Sequence, residues 1–376
     1  MSIFIYLIGI FLGVFKKRNK YVTLFLFLTI IAMSAGARNL ADSPVYYNRY
    51  IYTNYYSSFT ELIFSKIIEI SKRMNLNFDG FLVLMSFACF VPRIVLFKKI
   101  SKQVNYVLAL YLLFPIYLDV CWLRMTVGVT FVYIGFYLWF IHKESNPKYA
   151  LICYAVGVLI GSGFHAALLT YFILIIPEYF SFKQISIVAV AIGGLCQFIV
   201  HNNRLYSMIS WVVSQEKANI IQSTSLYGTI NKWLIYTVLC MLLLFLVTEI
   251  NLKHTLKNIR KYSKRETTEI LENLIDPERY VIYLRKINVL MLVLIPFVAY
   301  AGSFYRIQLY MVPLMFIAFS YNPVINTRGS ITKKGLMSCA ITLIGFWGVL
   351  YFYILKTSIF ETVFIPFFKE NALLGF

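Results

Sequence analysis

The sequence MTVGVTFVYIGFYLWFI, residues 125–141, contains no charged side chain. A run of this kind approaches the length that a helix needs to cross a bilayer, about 20 residues. Similar runs recur along the chain. We place spans near 2–15, 21–37, 78–97, 105–118, 125–141, 149–163, 166–180, 185–200, 233–250, 287–302, 306–321 and 337–355. The sequence therefore predicts an all-α integral membrane protein, with about 12 transmembrane helices in one bundle.

The composition supports this class. Of the 376 residues, 60% are hydrophobic and 14% are charged, whereas soluble domains average about 25% charged residues. The net charge of +19 would suggest nucleic acid in a soluble protein, but basic cytoplasmic loops explain it in a membrane protein. We expect a single polytopic domain, residues 1–376, with the lipid bilayer as its surroundings and no nucleic-acid partner.

The basic residues also predict an orientation. If the loop KKRNK at 16–20 is cytoplasmic, this loop and five further loops on the same side together carry 22 of the 35 lysine and arginine residues. The five further loops are 98–104, 142–148, 178–184, 251–286 and 322–336. The positive-inside rule then places both termini outside, together with external loops 38–77 and 201–232. The basic segment 251–286 is predicted to be a cytoplasmic loop that lies as an amphipathic helix on anionic lipid.

Five ionisable residues fall on the predicted outer side, close to the spans: Asp42, Arg49, Arg124, His165 and Arg306. Ionisable groups at spans are costly and are functional candidates by default. Structural roles are also open for each of them. An arginine can extend to the headgroups or stack on a ring, the histidine can bond a carbonyl, and the aspartate before Ser43 and Pro44 can cap a helix.

The functional interpretation joins these residues in one site. Arginine forms bidentate hydrogen bonds to phosphate oxygens, so we predict that Arg124, Arg306 and Arg49 bind a lipid diphosphate, which also stabilises it as a leaving group. Tyrosine offers a flat face and a hydroxyl to sugar rings. We predict sugar contacts from Tyr46, Tyr47, Tyr50 and Tyr305.

Two residues compete for the role of general base. The arginines are expected to lower the pKa of Asp42, which would make it a weak base that orients an arginine or the acceptor. A neutral imidazole at His165 could take a proton near pH 7, so His165 is the predicted base. The six cysteines are scattered singly, and no cluster of metal ligands, phosphate-binding loop or dinucleotide fingerprint is present. We expect no metal and no cofactor.

Four segments in order resemble the EpsG-like family of exopolysaccharide and capsule proteins, which is grouped with Wzy-type polymerases. They are GARNLADSPVYYNRY at 36–50, LRMTVGVTFVYIGF at 123–136, GSGFHAALL at 161–169 and YRIQLYMVP at 305–313. Two positions depart from the family pattern: Met125 stands where glutamine is frequent after the arginine, and Ala166 where serine is frequent after the histidine.

The resemblance implies an inverting, metal-independent membrane glycosyltransferase with a GT-C-like architecture in the bacterial cytoplasmic (inner) membrane. It would join undecaprenyl-diphosphate-linked oligosaccharides on the outer leaflet, alongside a chain-length regulator and a flippase. Two alternatives remain open. One is a ligase or another transferase of lipid-linked sugar, and the other is a non-enzymatic flippase or transporter. A transporter should show repeat symmetry, and we detect no internal repeat.

Overall fold

The structure is a computed structural model, and it describes residues 2–16, 19–52, 61–101, 103–201, 232–263, 276–300, 304–322, 332–355 and 358–374. Within these ranges the chain is helical, and its only extended pairing is an isolated bridge between Ala37 and Asn371. The α-helices are α1 Ser2–Phe15, α2 Lys20–Gly36, α3 Ser43–Ile51, α4 Leu62–Arg73, α5 Phe78–Ile100, α6 Val104–Leu113, α7 Ile116–Cys121, α8 Leu123–His142, α9 Pro147–Ser162, α10 Ile176–Tyr179, α11 Phe182–His201, α12 Lys232–Ser263, α13 Pro277–Leu290, α14 Ile295–Tyr300, α15 Tyr305–Leu309, α16 Val312–Phe319, α17 Lys333–Val349 and α18 Ile365–Lys369. The predicted all-α class is confirmed.

Five helical segments of the described chain are long and apolar enough to cross a membrane. They are Phe78–Ile100, Leu123–His142, Leu234–Lys261, Pro277–Val298 and Gly335–Phe352. Seven shorter apolar segments coincide with the other predicted spans: Ser2–Phe15, Lys20–Gly36, Val104–Leu113, Pro147–Ser162, Ala166–Tyr179, Phe182–Phe198 and Tyr305–Phe319. A membrane protein follows from the first set, while the crossing of all twelve stays a prediction.

Several predicted spans differ from the structure in shape. The span at 105–118 is two helices, because α6 ends at Leu113 before Pro115, and proline cannot continue the hydrogen-bond ladder of a helix. The span at 306–321 is likewise divided into α15 and α16, and the one at 166–180 begins with a 3-10 helix, Ala166–Ile175. Such irregular backbone within a bundle is tolerated where protein surrounds it.

The segment predicted as a cytoplasmic loop, 251–286, is mostly helix. Helix α12 continues to Ser263, and α13 begins at Pro277. On the described part of this segment, Asn251, Leu252 and Thr255 are buried inside the bundle. The basic side chains of Lys253 and Arg260 in α12 are exposed, and the position of the segment on anionic lipid stays a prediction.

Glycines bring α8 and α9 into close contact. A Cβ at Gly157 would lie 2.7 Å from the Phe131 carbonyl oxygen, and one at Gly161 would lie 2.8 Å from the Gly128 carbonyl oxygen. Only glycine permits this backbone approach, as small residues do at helix interfaces in membranes. This close contact fixes the start of α8, which carries Arg124, relative to the end of α9, which is followed by His165.

The end of α2 and the starts of α5 and α8 lie at one end of the bundle. Arg38, just after α2, forms an ion pair of 2.8 Å with Asp79 at the start of α5. The chain termini join this end: the Ser2 hydroxyl donates to the Phe368 carbonyl at 2.6 Å, and the Asn371 amide donates to the Met33 carbonyl at 3.1 Å. We call it the Arg124 end.

The other end of the bundle joins the basic loops. Thr23 donates to the Asn105 side chain at 2.6 Å, and Ser101 donates to Ser320 at 3.0 Å. Lys143 pairs with Glu178 at 2.7 Å. These contacts join residues that lie in or beside loops that the charge count assigned to one side, and the orientation of the chain in the membrane stays a prediction.

A probe at the end of α12 tests the orientation. A single cysteine introduced at Lys261 in a cysteine-free background is expected to resist a membrane-impermeant thiol reagent in intact cells, because the basic end should face the cytoplasm. The same reagent should label a cysteine at Tyr47, which is 50% exposed at the Arg124 end. Labelling at position 261 but not at 47 would invert the topology.

Candidate functional site

Asp42 lies between α2 and α3. Because proline disfavours helical geometry in the preceding residue, a helix is not expected to run through Ser43 into Pro44 from α2, and the chain does leave α2 at Gly36 and begins α3 at Ser43. Asp42 occupies the N-cap position, yet its side chain makes no capping hydrogen bond. The structural role considered for Asp42, helix capping, is therefore not realised. Its carboxylate forms no hydrogen bond or ion pair with any residue that the structure describes.

Arg124 stands in the first turn of α8. Its Nη1 donates to Glu61 Oε1 at 2.9 Å, and its guanidinium carbon lies 5.6 Å from the centre of the Tyr46 ring and 5.5 Å from that of Phe64. Its Nε is buried without a hydrogen-bond partner. Arg124 thus faces inward between α3 and α4 rather than toward lipid, which rules out the structural role of reaching for headgroups.

Glu61 was not predicted as a site residue, although it holds two of the arginines. It is buried, with 6% of its surface exposed, and it pairs with Arg49 as well as with Arg124. The two arginine charges offset the free-energy cost of burying the negative charge of this carboxylate. Arg49 therefore contacts a fixed anion, and an incoming diphosphate would have to share it with Glu61.

Arg306 begins α15 and stacks on an aromatic ring. Its guanidinium carbon lies 4.1 Å from the centre of the Trp122 ring, within the range of a cation–π contact. Its Nε is buried without a partner, and no carboxylate of the described residues forms an ion pair with it. The adjacent Tyr305 hydroxyl interacts with it. Arg306 is thus a cation with no balancing anion in direct contact.

The charges of Arg124 and Arg306 both reach the Asp42 carboxyl. Asp42 lies outside the spans, and both arginine charges act to lower its pKa, but burial outweighs them and the pKa of its carboxyl is raised. The expected lowering was wrong, because the desolvation of a half-buried carboxylate exceeds two attractions that lack direct contact. The net result makes Asp42 a stronger base than the sequence suggested.

His165 lies at the same end of the bundle, since the Ile63 amide at the start of α4 donates to the Gly163 carbonyl at 3.1 Å. It caps the following 3-10 helix, with Nδ1 accepting from the Ala167 amide at 3.3 Å. A neutral imidazole that accepts at Nδ1 carries its proton on Nε2, where it donates. This arrangement suits a hydrogen-bond donor, and the base role predicted for His165 stays a prediction.

The four tyrosines predicted to contact sugar occupy different environments. Tyr46, Tyr50 and Tyr305 are buried, and Tyr47 is half exposed. The Tyr50 ring packs against Phe78 and Phe81, and its hydroxyl bonds the Leu76 carbonyl, so it fastens α3 to α5. Tyr47 also packs edge-on against Phe78, but its exposure leaves it able to meet a ligand from outside.

No group of three potential metal ligands among histidine, cysteine, aspartate and glutamate occurs in the described ranges. The predicted external connection 201–232 falls almost entirely outside those ranges. Comparison with protein-family models, with curated proteins and with solved structures gave no match for this chain.

Proposed function

We propose that Arg124 and Arg306 bind the diphosphate of a lipid-linked oligosaccharide beside Asp42, and that the chain transfers this oligosaccharide to a sugar hydroxyl. The observation that carries the proposal is that Arg306, whose Nε is buried, has no anion of the described residues in direct contact. The charges of two inward-facing arginines act on one carboxylate, that of Asp42, without a direct ion pair to it, and Arg306 has no ion pair with any carboxylate of the described residues. An unbalanced buried cation is costly, and a diphosphate between the arginines would balance it.

The chemistry follows from the groups present. The acceptor hydroxyl forms the new bond to the anomeric carbon as the bond from that carbon to the diphosphate oxygen breaks. Arg124 and Arg306 would stabilise the negative charge that develops on the leaving group. Asp42, with its raised pKa, would take the proton of the acceptor hydroxyl, and His165 Nε2 would donate a hydrogen bond to a substrate oxygen.

The resemblance of the four segments to EpsG-like proteins extends this proposal to a polymerase of undecaprenyl-diphosphate-linked repeat units, acting on the outer face of the bacterial cytoplasmic membrane. The test is reconstitution of the purified protein in liposomes with a lipid-linked repeat unit. A polymerase gives a ladder of products that differ by one unit. A single larger product on another acceptor would indicate the ligase, and translocation without transfer would indicate the flippase.

Chelation separates an arginine site from a metal site. Because two guanidinium groups supply the positive charge, the rate of transfer should stay within about twofold of its original value after treatment with EDTA. A rate that disappears with EDTA and returns with Mg²⁺ or Mn²⁺ would contradict the proposed mechanism. Calcium-loaded EDTA is the control for effects of the chelator on the membrane.

A further inference from the structure

A second polar cluster lies within the bundle, apart from the site. Arg93 in α5 is completely buried, and Asp119 in α7 is 1% exposed. Arg93 Nη1 contacts Asp119 Oδ2 at 2.5 Å and donates to the Tyr111 hydroxyl at 2.9 Å. The Tyr111 hydroxyl in turn donates to Asp119. Burying ionisable groups inside a membrane protein costs free energy, so we expect this cluster to have a function.

The cluster forms hydrogen bonds to the junction of α7 and α8, which carries Trp122 and Arg124. Arg93 Nη2 donates to the Thr126 carbonyl at 2.8 Å, and the Thr126 hydroxyl donates to the Asp119 carbonyl at 2.7 Å. Asp119 and Thr126 therefore bracket the junction of α7 and α8, from which Trp122 and Arg124 project. Arg93 thus contacts the residues on both sides of this turn, Asp119 before it and Thr126 after it.

The same cluster reaches the segment that carries Arg306. The hydroxyls of Thr126 and Tyr310 lie 2.9 Å apart, and the Tyr310 amide donates to the Arg306 carbonyl at 3.0 Å. Tyr310 is thus one helical turn from Arg306. A continuous chain of hydrogen bonds runs from Arg93 through Thr126 to the turn that carries Arg306.

We propose that Arg93 and Asp119 are positioning residues, which set the distance between Arg124 and Arg306 by holding the α7–α8 junction against α5 and the start of α15. The role in transfer rests on the proposed function, but the role in holding the junction does not. Misplacement of binding groups by about 1 Å can cost a hundredfold in rate, so a rigid polar clamp has a functional effect beyond stability.

The test uses a variant that removes the polar groups without leaving a buried charge alone. Asp119→Asn by itself would strand Arg93 and is expected to misfold, since breaking one side of a buried pair is strongly destabilising. The combination Arg93→Met, Tyr111→Phe and Asp119→Leu keeps similar volumes and removes all three groups. Such replacements by apolar residues are frequently tolerated, so this triple variant should insert and melt near the wild-type temperature.

Two readouts follow. In the triple variant the maximal rate of transfer should fall by about a hundredfold, beyond any change in KM. Independently of substrate, the buried thiol of Cys121, which is 1% exposed in α7, should react with a membrane-permeant maleimide at least about tenfold faster when the junction loosens. Cys339 in α17, buried and distant from the junction in sequence, is the control in a second single-cysteine background.

Each outcome decides a part of the proposal. A folded triple variant with wild-type labelling of Cys121 would show that the cluster does not hold the junction. Faster labelling with an unchanged rate of transfer would show that the junction does not position the arginines. If the wild-type protein shows no transfer at all, the proposed function fails, and the labelling result still tests the clamp.

Discussion

Replacing Arg306 by lysine is expected to lower the rate of polymer formation by at least about a hundredfold, the cost of losing one preorganised charge donor in an active site. The planar guanidinium lies 4.1 Å from the centre of the Trp122 ring and presents a fork of N–H groups, whereas an ammonium is a point charge without the fork or the flat face. The measurement is the initial rate of ladder formation in liposomes with a lipid-linked repeat unit.

The matched control is Arg73→Lys. Arg73 is 77% exposed on α4, where it pairs with Glu69, so its replacement should leave the rate within about twofold, as for most surface changes. Arg124→Lys should give an intermediate loss, because a lysine can keep the ion pair with Glu61. An Arg306→Lys protein as active as the Arg73→Lys control would remove Arg306 from the site.

Asp42→Asn is expected to reduce turnover by about 10²- to 10⁴-fold, the contribution of a positioned general base, while binding of the lipid-linked substrate persists. The reason is that Asp42 has a raised pKa and a carboxylate without hydrogen bonds among the described residues. His165→Ala should lose less, because its Nε2 is placed as a donor. This order reverses the one that the sequence alone suggested.

The pH profile gives an independent check. A base acts only when deprotonated, so the rate should rise as the pH passes upward through the Asp42 pKa, which lies above that of an ordinary aspartate. Asp42→Asn should remove this limb of the profile, whereas His165→Ala should keep it. If His165→Ala is inactive and Asp42→Asn nearly active, the base is His165 and the tautomer inferred from the Ala167 contact does not operate in catalysis.

The class of the fold could be predicted from the sequence because long apolar runs have few alternatives in a bilayer. The runs at 78–97 and 125–141 fall on helices that could cross a membrane. Helix breaks within apolar runs could not be predicted as reliably. Pro115 gave a local signal for the break after α6, and Pro313, in the first turn of α16, gave one for the division after Leu309, but neither signal gave the exact ends of the helices.

The convergence of Asp42, Arg124 and Arg306 was predicted from their shared side of the membrane. The charges of both arginines act on the Asp42 carboxyl, and a common site for the three residues stays a prediction. The pairing of Glu61 with two arginines was not predicted, since a single carboxylate in an amphipathic segment gives no pattern. Asp119 was also missed, although Arg93 is a charge within the predicted span at 78–97. An intramembrane charge requires a partner, and searching the neighbouring spans for a lone carboxylate would have found Asp119.

The central claim is that the Arg124 end binds a lipid diphosphate, and direct binding tests it. The measurement is a titration of the purified protein in nanodiscs with undecaprenyl diphosphate, for the wild type, Arg306→Gln and Arg73→Gln. We predict that the wild type and Arg73→Gln bind alike and that Arg306→Gln binds at least about tenfold more weakly, a change of 1.4 kcal/mol in binding free energy. Equal affinities for all three proteins would contradict the account.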